Sequence, residues 1–192
     1  DRSSRPLINS QEAYARPADA ARAAVAGKRY TCTMEQNRWS LTVNGRVEQV
    51  AAAGDTPLLY VLQNELGLKG PRFGCGLAQW GSCSVLLGDV EVRACVTPVA
   101  AVAGQAITTL EGIPAWYTRK QGLRQTAALH PVQQALIDEQ APQCGYCMNG
   151  VVVKAAELLA NVPHPTEAQI RTALNGHLCR CGAYPSILRA IQ

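Results

Sequence analysis

Apolar and polar residues alternate on both sides of Asn44-Gly45 in WSLTVNGRVEQV, residues 39–50. An Asn-Gly pair between two alternating runs predicts a β-hairpin closed by a type I′ turn. In TPLLYVLQNELGL, residues 56–68, the pattern changes to a helical period carried by Leu58, Leu59, Val61, Leu62 and Leu66, with Thr56 placed as a cap. SVLLGDVEVRACVTPV, residues 84–99, reads as two short strands divided by Gly88-Asp89, with Cys95 delivered by the second, and AITTLEGI, residues 106–113, as a last strand. Residues 38–112 therefore predict a small sheet with one helix and a long glycine-rich loop, an α+β pattern.

After Gly112 the character changes. PAWYTRKQG reads as a linker, 113–122, and from Leu123 onward the periodicity is helical. HPVQQALIDEQ carries Pro131 at a helix start. MNGVVVKAAELLANV is apolar enough for a buried helix, ended by Pro163 and Pro165. Thr166 and Gln169 form a capping box in front of EAQIRTALNG, with Gly176 expected at its C′ position, and YPSILRAIQ is a last short helix. Residues 123–192 thus predict a small helical bundle with cysteines at its helix ends. Residues 1–37 have no steady apolar period and no signal-peptide core, and read as an extension with a short helix around ADAARAAVA.

Composition narrows the classes. A chain of 192 residues with 47% hydrophobic and 17% charged residues is folded rather than disordered. No apolar run approaches the ~20 residues of a membrane-spanning helix, so membrane association is expected only through a partner. The net charge of +4 forms no basic block, which argues against nucleic acid as a partner.

The eight cysteines change the picture most. Four disulfides would suit a small secreted scaffold, but this chain is too long and too apolar to need them. The C-x-x-C of CGYC and the C-x-C of CRC point to metal, because close thiolates converge on one centre. Cys75, four residues, position 80, two residues, Cys83 and a later Cys95 follow the plant-type [2Fe–2S] spacing. Position 80, however, is Trp80. Gly74, Gly76 and Gly81 in the same loop would allow positive φ and bring backbone N–H groups close to the sulfurs. Cys144, Cys147, Cys179 and Cys181 form a second, complete set of four, and spacing alone leaves a structural zinc open there.

These residues carry a family resemblance. LTVNGR, TPLLYVLQNELGLKG, GCGLAQWGSCSV, RACVTPV, QCGYCMNGVVV and HLCRCGAYPSILRAI resemble, over residues 38–192, the small iron–sulfur subunit of the molybdenum hydroxylases, the xanthine dehydrogenase and aldehyde oxidoreductase family. The wording is most similar to the small subunits of isoquinoline, nicotinate and membrane-linked aldehyde dehydrogenases. The resemblance implies a β-grasp, ferredoxin-like domain followed by an all-helical domain, each with a [2Fe–2S] cluster. It implies a large partner subunit whose molybdopterin cofactor oxidises an aldehyde or N-heterocycle with water as the oxygen source, so that no catalytic residue lies in this chain. By position, Cys75, Cys83 and Cys95 would hold the outer cluster and Cys144, Cys147, Cys179 and Cys181 the inner one. Gln143 and Cys181 would lie beside the pterin, with Cys181 the exit for electrons from molybdenum. A cytochrome c or flavin subunit is the implied acceptor, and the implied setting is a bacterial cell, at the periplasmic face of the inner membrane through partners or in the cytoplasm.

Trp80 departs from that pattern, since an indole N–H is a donor only. Three explanations stand: a single-base misreading of a cysteine codon, a site completed by Ser82, Ser84, a water or Cys32, or a lost outer cluster. His130, His164 and His177 lack ligand spacing and read as surface or capping residues. Cys32 reads as a buried or free thiol. Trp39 reads as core, and Trp80 and Trp116 as candidate interface anchors. The competing functions are a free-standing ferredoxin-like carrier and a zinc-stabilised interaction module.

Overall fold

The computed structural model describes residues 37–192; the extension, its expected helix and Cys32 lie outside the described residues. Strands β1 (Asn37–Val43) and β2 (Arg46–Ala52) pair antiparallel around Asn44 and Gly45, both at positive φ (52° and 81°), as a type I′ turn requires. Strands β3 (Ser84–Leu87) and β4 (Val90–Arg93) form the second hairpin, and β5 (Ala106–Thr108) joins the two. The order is β2-β1-β5-β3-β4, with β1 and β5 parallel and the other pairs antiparallel. Cys95 lies two residues beyond β4 instead of on it.

One face of this sheet is covered by a helix that is tighter at its start than at its end. Helix α1 (Leu58–Tyr60) passes into a π-helical turn over Val61–Glu65, where Leu66 N–H reaches back to Val61 O. Thr56 does not cap it. The flanking position is Pro57, with no side-chain cap, while Thr56 O accepts from Val99 N–H and Leu58 N–H donates to Thr97 O. Leu58, Leu59, Val61 and Leu62 are buried with Leu41, Val43, Val50, Val85 and Ile107 in one core.

A second core lies among the helices. Residues 113–121, expected as part of a linker, are helix α2 (Ile113–Gln121), with Pro114 in its first turn and Gly122 at φ 61° as its left-handed cap. Helices α3 (Pro131–Asp138), α4 (Met148–Asn161), α5 (Glu167–Ala173) and α6 (Tyr184–Ile191) follow. The Thr166–Gln169 capping box is formed, and His130 forms another at α3, where its Nδ1 accepts from Val132 N–H. Trp116 is a core residue and not a surface anchor: it is buried, and its Nε1–H donates to Asp89 Oδ1 across to the β3–β4 turn. Leu86 of β3 packs into this helical core, which seats α4 against the β3–β4 hairpin. The whole is an α+β architecture of ferredoxin-like sheet and helical bundle.

Candidate metal centres

Hydrogen bonds brace the loop carrying Cys75 at its base. The Glu111 carboxylate accepts from Lys69 and Gly70 N–H at 3.0 and 2.7 Å, and Arg72 N–H pairs with Ser82 O, closing residues 72–82 into a ring. Inside it Gly76, Ala78 and Gly81 take positive φ (68°, 59° and 82°). Gly74 does not; its need is closeness, because a Cβ there would lie 2.5 Å from Ser82 Oγ and 3.1 Å from the Trp80 ring. The turn aims Leu77 and Gln79 N–H at Cys75 Sγ (3.3 and 3.2 Å). Burial pushes the Cys75 thiol up, but these N–H groups together with that of Trp80 outweigh it and draw it below the ordinary range. Concave N–H arrays of this kind favour an anionic sulfur.

Cys83 and Cys95 are both buried and neighbour each other. Burial, with the neighbouring Cys95, pushes the Cys83 thiol up to about 12. In the helical half, Cys181 neighbours Cys144, and both Cys179 and Cys144 neighbour Cys147, so CGYC and CRC lie side by side. Cys147 flanks the N-terminus of α4, where the helix dipole favours negative charge. Burial and Cys179 raise its thiol to about 12, whereas backbone N–H from Tyr146 lowers the exposed Cys144. Among the described residues no three Cys, His, Asp or Glu side chains gather around one ion. A [2Fe–2S] cluster takes four protein ligands, the number of cysteines that CGYC and CRC supply together.

The two cysteine loops touch, a contact that no motif in the chain foreshadows. Trp80 and Leu178 exchange two hydrogen bonds: Leu178 N–H to Trp80 O at 3.1 Å, and Trp80 Nε1–H to Leu178 O at 2.7 Å. Tyr146, inside CGYC, donates its hydroxyl to Phe73 O at 2.5 Å, lies beside the Trp80 ring and carries the Arg72 guanidinium over its face. Beneath these, Asn149 Nδ2 donates to Ser82 O and Ser84 O, both at 2.8 Å.

His177, expected at the surface or in a cap, is buried in an ionic network. Its Nε2 lies 2.9 Å from Glu91 Oε1 and 2.8 Å from Arg93 Nη1, and Glu91 also pairs with Arg93 and Lys154. Burial alone would raise the Glu91 carboxyl, but His177, Ser84 and Arg93 overcome it and hold it low. Sequence spacing could not reveal this network, whose members come from β4, α4 and the loop before α6. His164 is exposed, and Trp39 is half-buried with its Nε1–H on Ala52 O. Gln143 is exposed next to Cys144, and Cys181 is partly exposed.

The inner four cysteines match a [2Fe–2S] cluster in number and residue type, and the N-terminus of α4 beside Cys147 favours negative charge there. The outer loop offers three thiols with the donor-only indole of Trp80 at the fourth position, and the hydroxyls of Ser82 and Ser84 donate to Arg72 O and Gly81 O.

The chain is similar to known proteins. Residues 120–192 match a family described as a [2Fe-2S] binding domain. A nicotinate dehydrogenase subunit of Pseudomonas putida is 51% identical over 157 residues, covering 82% of this chain and 94% of that protein. The alpha subunit of isoquinoline 1-oxidoreductase from Brevundimonas diminuta is 45% identical, covering 72% and 84%. Among solved structures, quinoline 2-oxidoreductase from Pseudomonas putida 86 superposes with a TM-score of 0.72 at 31% identity, over 82% of this chain and 91% of that one.

Proposed function

The chain belongs to the small iron–sulfur subunits of the molybdenum hydroxylases, and on that premise we propose that it relays electrons from a molybdopterin site in a large partner subunit to an external acceptor. The observation that carries this reading is the stitching of the two cysteine loops by Trp80, Leu178, Tyr146 and Phe73, which holds two candidate centres side by side. Cys144, Cys147, Cys179 and Cys181 hold the inner [2Fe–2S] cluster, and Cys75, Cys83 and Cys95 contribute to the outer one. When bound, each cluster supplies one-electron exchange.

The chain's own residues set the conditions for that exchange. N–H groups around Cys75 and the N-terminus of α4 at Cys147 stabilise anionic sulfur. Buried Cys83 and Cys147 hold their protons in the metal-free protein and release them on loading. Gln143 and Cys181 face the pterin, with Cys181 the entry for electrons; their exposure, beside exposed Leu178, Tyr146 and Tyr184, supports a partner surface here. The 38–112 domain and the 123–192 domain act as the two carriers.

The partner oxidises an aldehyde or N-heterocycle, and a cytochrome c or flavin subunit takes the electrons. No helix among the described residues is long and apolar enough to cross a membrane. A cytochrome partner would set the complex at the periplasmic face of the bacterial inner membrane, and a flavin subunit would leave it in the cytoplasm.

The test is substitution of Cys144, Cys147, Cys179 and Cys181 by Ser, one at a time, in the purified complex. Each variant should lose or alter one of two EPR signals and slow reoxidation of the molybdenum centre. Four variants with wild-type spectra would refute the inner assignment.

A further inference from the structure

We propose that the cavity between α2, the start of α3 and the end of α4 binds a neutral one-ring aromatic molecule carrying a hydrogen-bond acceptor, of the class of an aryl ketone or a small heteroarene, held by Nε2–H of His130. The site lies at the far end of α4 from Cys147 and does not depend on reading the cysteines as metal ligands.

Size and lining set the class. The cavity holds about 250 Å³. About 150 Å³ is enough for benzene, so one ring with a short substituent fits, whereas drug-sized ligands take roughly 300 Å³ or more. Trp116 and Tyr117 of α2 and Leu159 and Ala160 of α4 give it aromatic and aliphatic walls. Those walls are set by contacts of the protein with itself. The Asp89 carboxylate takes Trp116 Nε1–H on one oxygen and Lys120 Nζ on the other, at 2.9 and 2.8 Å. Tyr117 stands across the His130 ring, with centroids 4.6 Å apart and planes at 67°. A ligand therefore meets a surface that needs little ordering.

His130 supplies the polar contact. It is buried, and its Nδ1 is spent as the acceptor for Val132 N–H at 3.1 Å. A neutral imidazole that accepts at Nδ1 carries its proton on Nε2, and burial, which lowers the pKa to about 4, keeps the ring neutral at pH 7. Among the described residues this Nε2–H has no hydrogen-bond partner. A desolvated donor without an acceptor is costly, and an acceptor on the ligand removes that cost. Charge selects a neutral ligand. Lys120 is already paired with Asp89, which leaves no free cation for a carboxylate, and the lining holds no carboxylate for an ammonium.

The test uses the intact complex with acetophenone, an aryl ketone without an aldehyde hydrogen to oxidise, and ethylbenzene, which has nearly the same shape and no acceptor. Ligand-observed NMR titrations give the affinities, and soaked crystals give the position. Acetophenone should bind saturably, with density in this cavity and its oxygen at His130 Nε2, and about tenfold tighter than ethylbenzene, the worth of one hydrogen bond to a buried donor. Ala160→Leu, which fills the cavity from a partly buried position, should abolish saturation. His130→Ser, which keeps a capping hydroxyl and lacks the ring donor, should bring the two ligands to equal affinity, with circular dichroism confirming that both variants are folded. Unchanged acetophenone binding in Ala160→Leu, equal affinities in the wild type, a retained preference in His130→Ser, or a partner side chain already filling the cavity in the complex would each overturn the inference. None of these outcomes touches the iron–sulfur reading, which rests on other residues.

Discussion

Replacing Gly150 by alanine tests the contact between the two cysteine loops most directly. Gly150 lies in the first turn of α4, and a Cβ there would stand 2.2 Å from Gly81 O, 2.7 Å from Gly81 C and 3.0 Å from His177 Cδ2. Carbon and oxygen at ordinary contact need about 1 Å more, and the obstacle is backbone in the outer loop, which cannot rotate aside. The added methyl must push the loop off α4. Overpacking of this kind costs about 1–3 kcal/mol. The neighbouring Asn149 bonds to Ser82 O and Ser84 O would stretch with it, at a net ~1 kcal/mol each. Against this stands the helix propensity of alanine over glycine, a gain of about 1 kcal/mol. The sign is therefore diagnostic: propensity alone predicts a more stable protein, and the contact predicts a loss of about 2–4 kcal/mol. Denaturant unfolding of wild type and Gly150→Ala, followed by circular dichroism and visible absorption, measures it. The outer EPR signal should also change shape while the inner ligands remain. A variant as stable as wild type, or more so, would refute the close approach of α4 to the outer loop.

Two further outcomes concern stability away from the centres. His130 is 3% exposed, and its burial lowers its pKa from 6.5 to about 4 while Nδ1 accepts the α3 cap bond. The unfolded chain therefore takes up the proton first, so stability is full above pH 6.5 and falls as pH drops from there toward 4, by about 3 kcal/mol in all. His130→Asn, which keeps a capping oxygen, should flatten that slope relative to wild type in parallel melts; equal slopes would contradict the assignment. Asn44→Ala should cost about 2 kcal/mol in equilibrium unfolding, because Asn44 holds φ 52° and bonds Thr109 through both Nδ2–H and Oδ1. A loss under half of that would mean the turn does not anchor β5.

Local features are legible in the chain where one short segment contains the whole cause. Asn44-Gly45 fixes its turn, Pro131 opens α3, and Thr166 with Gln169 closes its own capping box. Helix α2 is legible too, although its composition suggests a linker, since Pro114 near its start and Gly122 after its end are the ordinary punctuation of a helix. Thr56 fails as a cap because its carbonyl belongs to Val99, a contact across forty-three residues of sequence. The cysteines of both candidate centres are legible as sets but not as pairs. Spacing groups Cys144 with Cys147, and the fold brings Cys181 beside the first and Cys179 beside the second. Glu91, Tyr146, Gly150 and Leu178 carry no motif at all. Their importance comes from the meeting of two loops, which only tertiary packing decides.

The ionic group of Glu91, Arg93, His177 and Lys154 bears on how such a protein can be taken apart. Glu91 and Arg93 come from the sheet half, and His177 and Lys154 from the helical half. Cutting the chain between the halves would leave Glu91 with Arg93 but without two cationic or hydrogen-bonding neighbours, and would strip Trp80 and Phe73 of their partners across the seam. The ferredoxin-like half is thus not a portable module: its electrostatic closure lies partly in its neighbour, and the two halves must be transplanted and engineered as one piece.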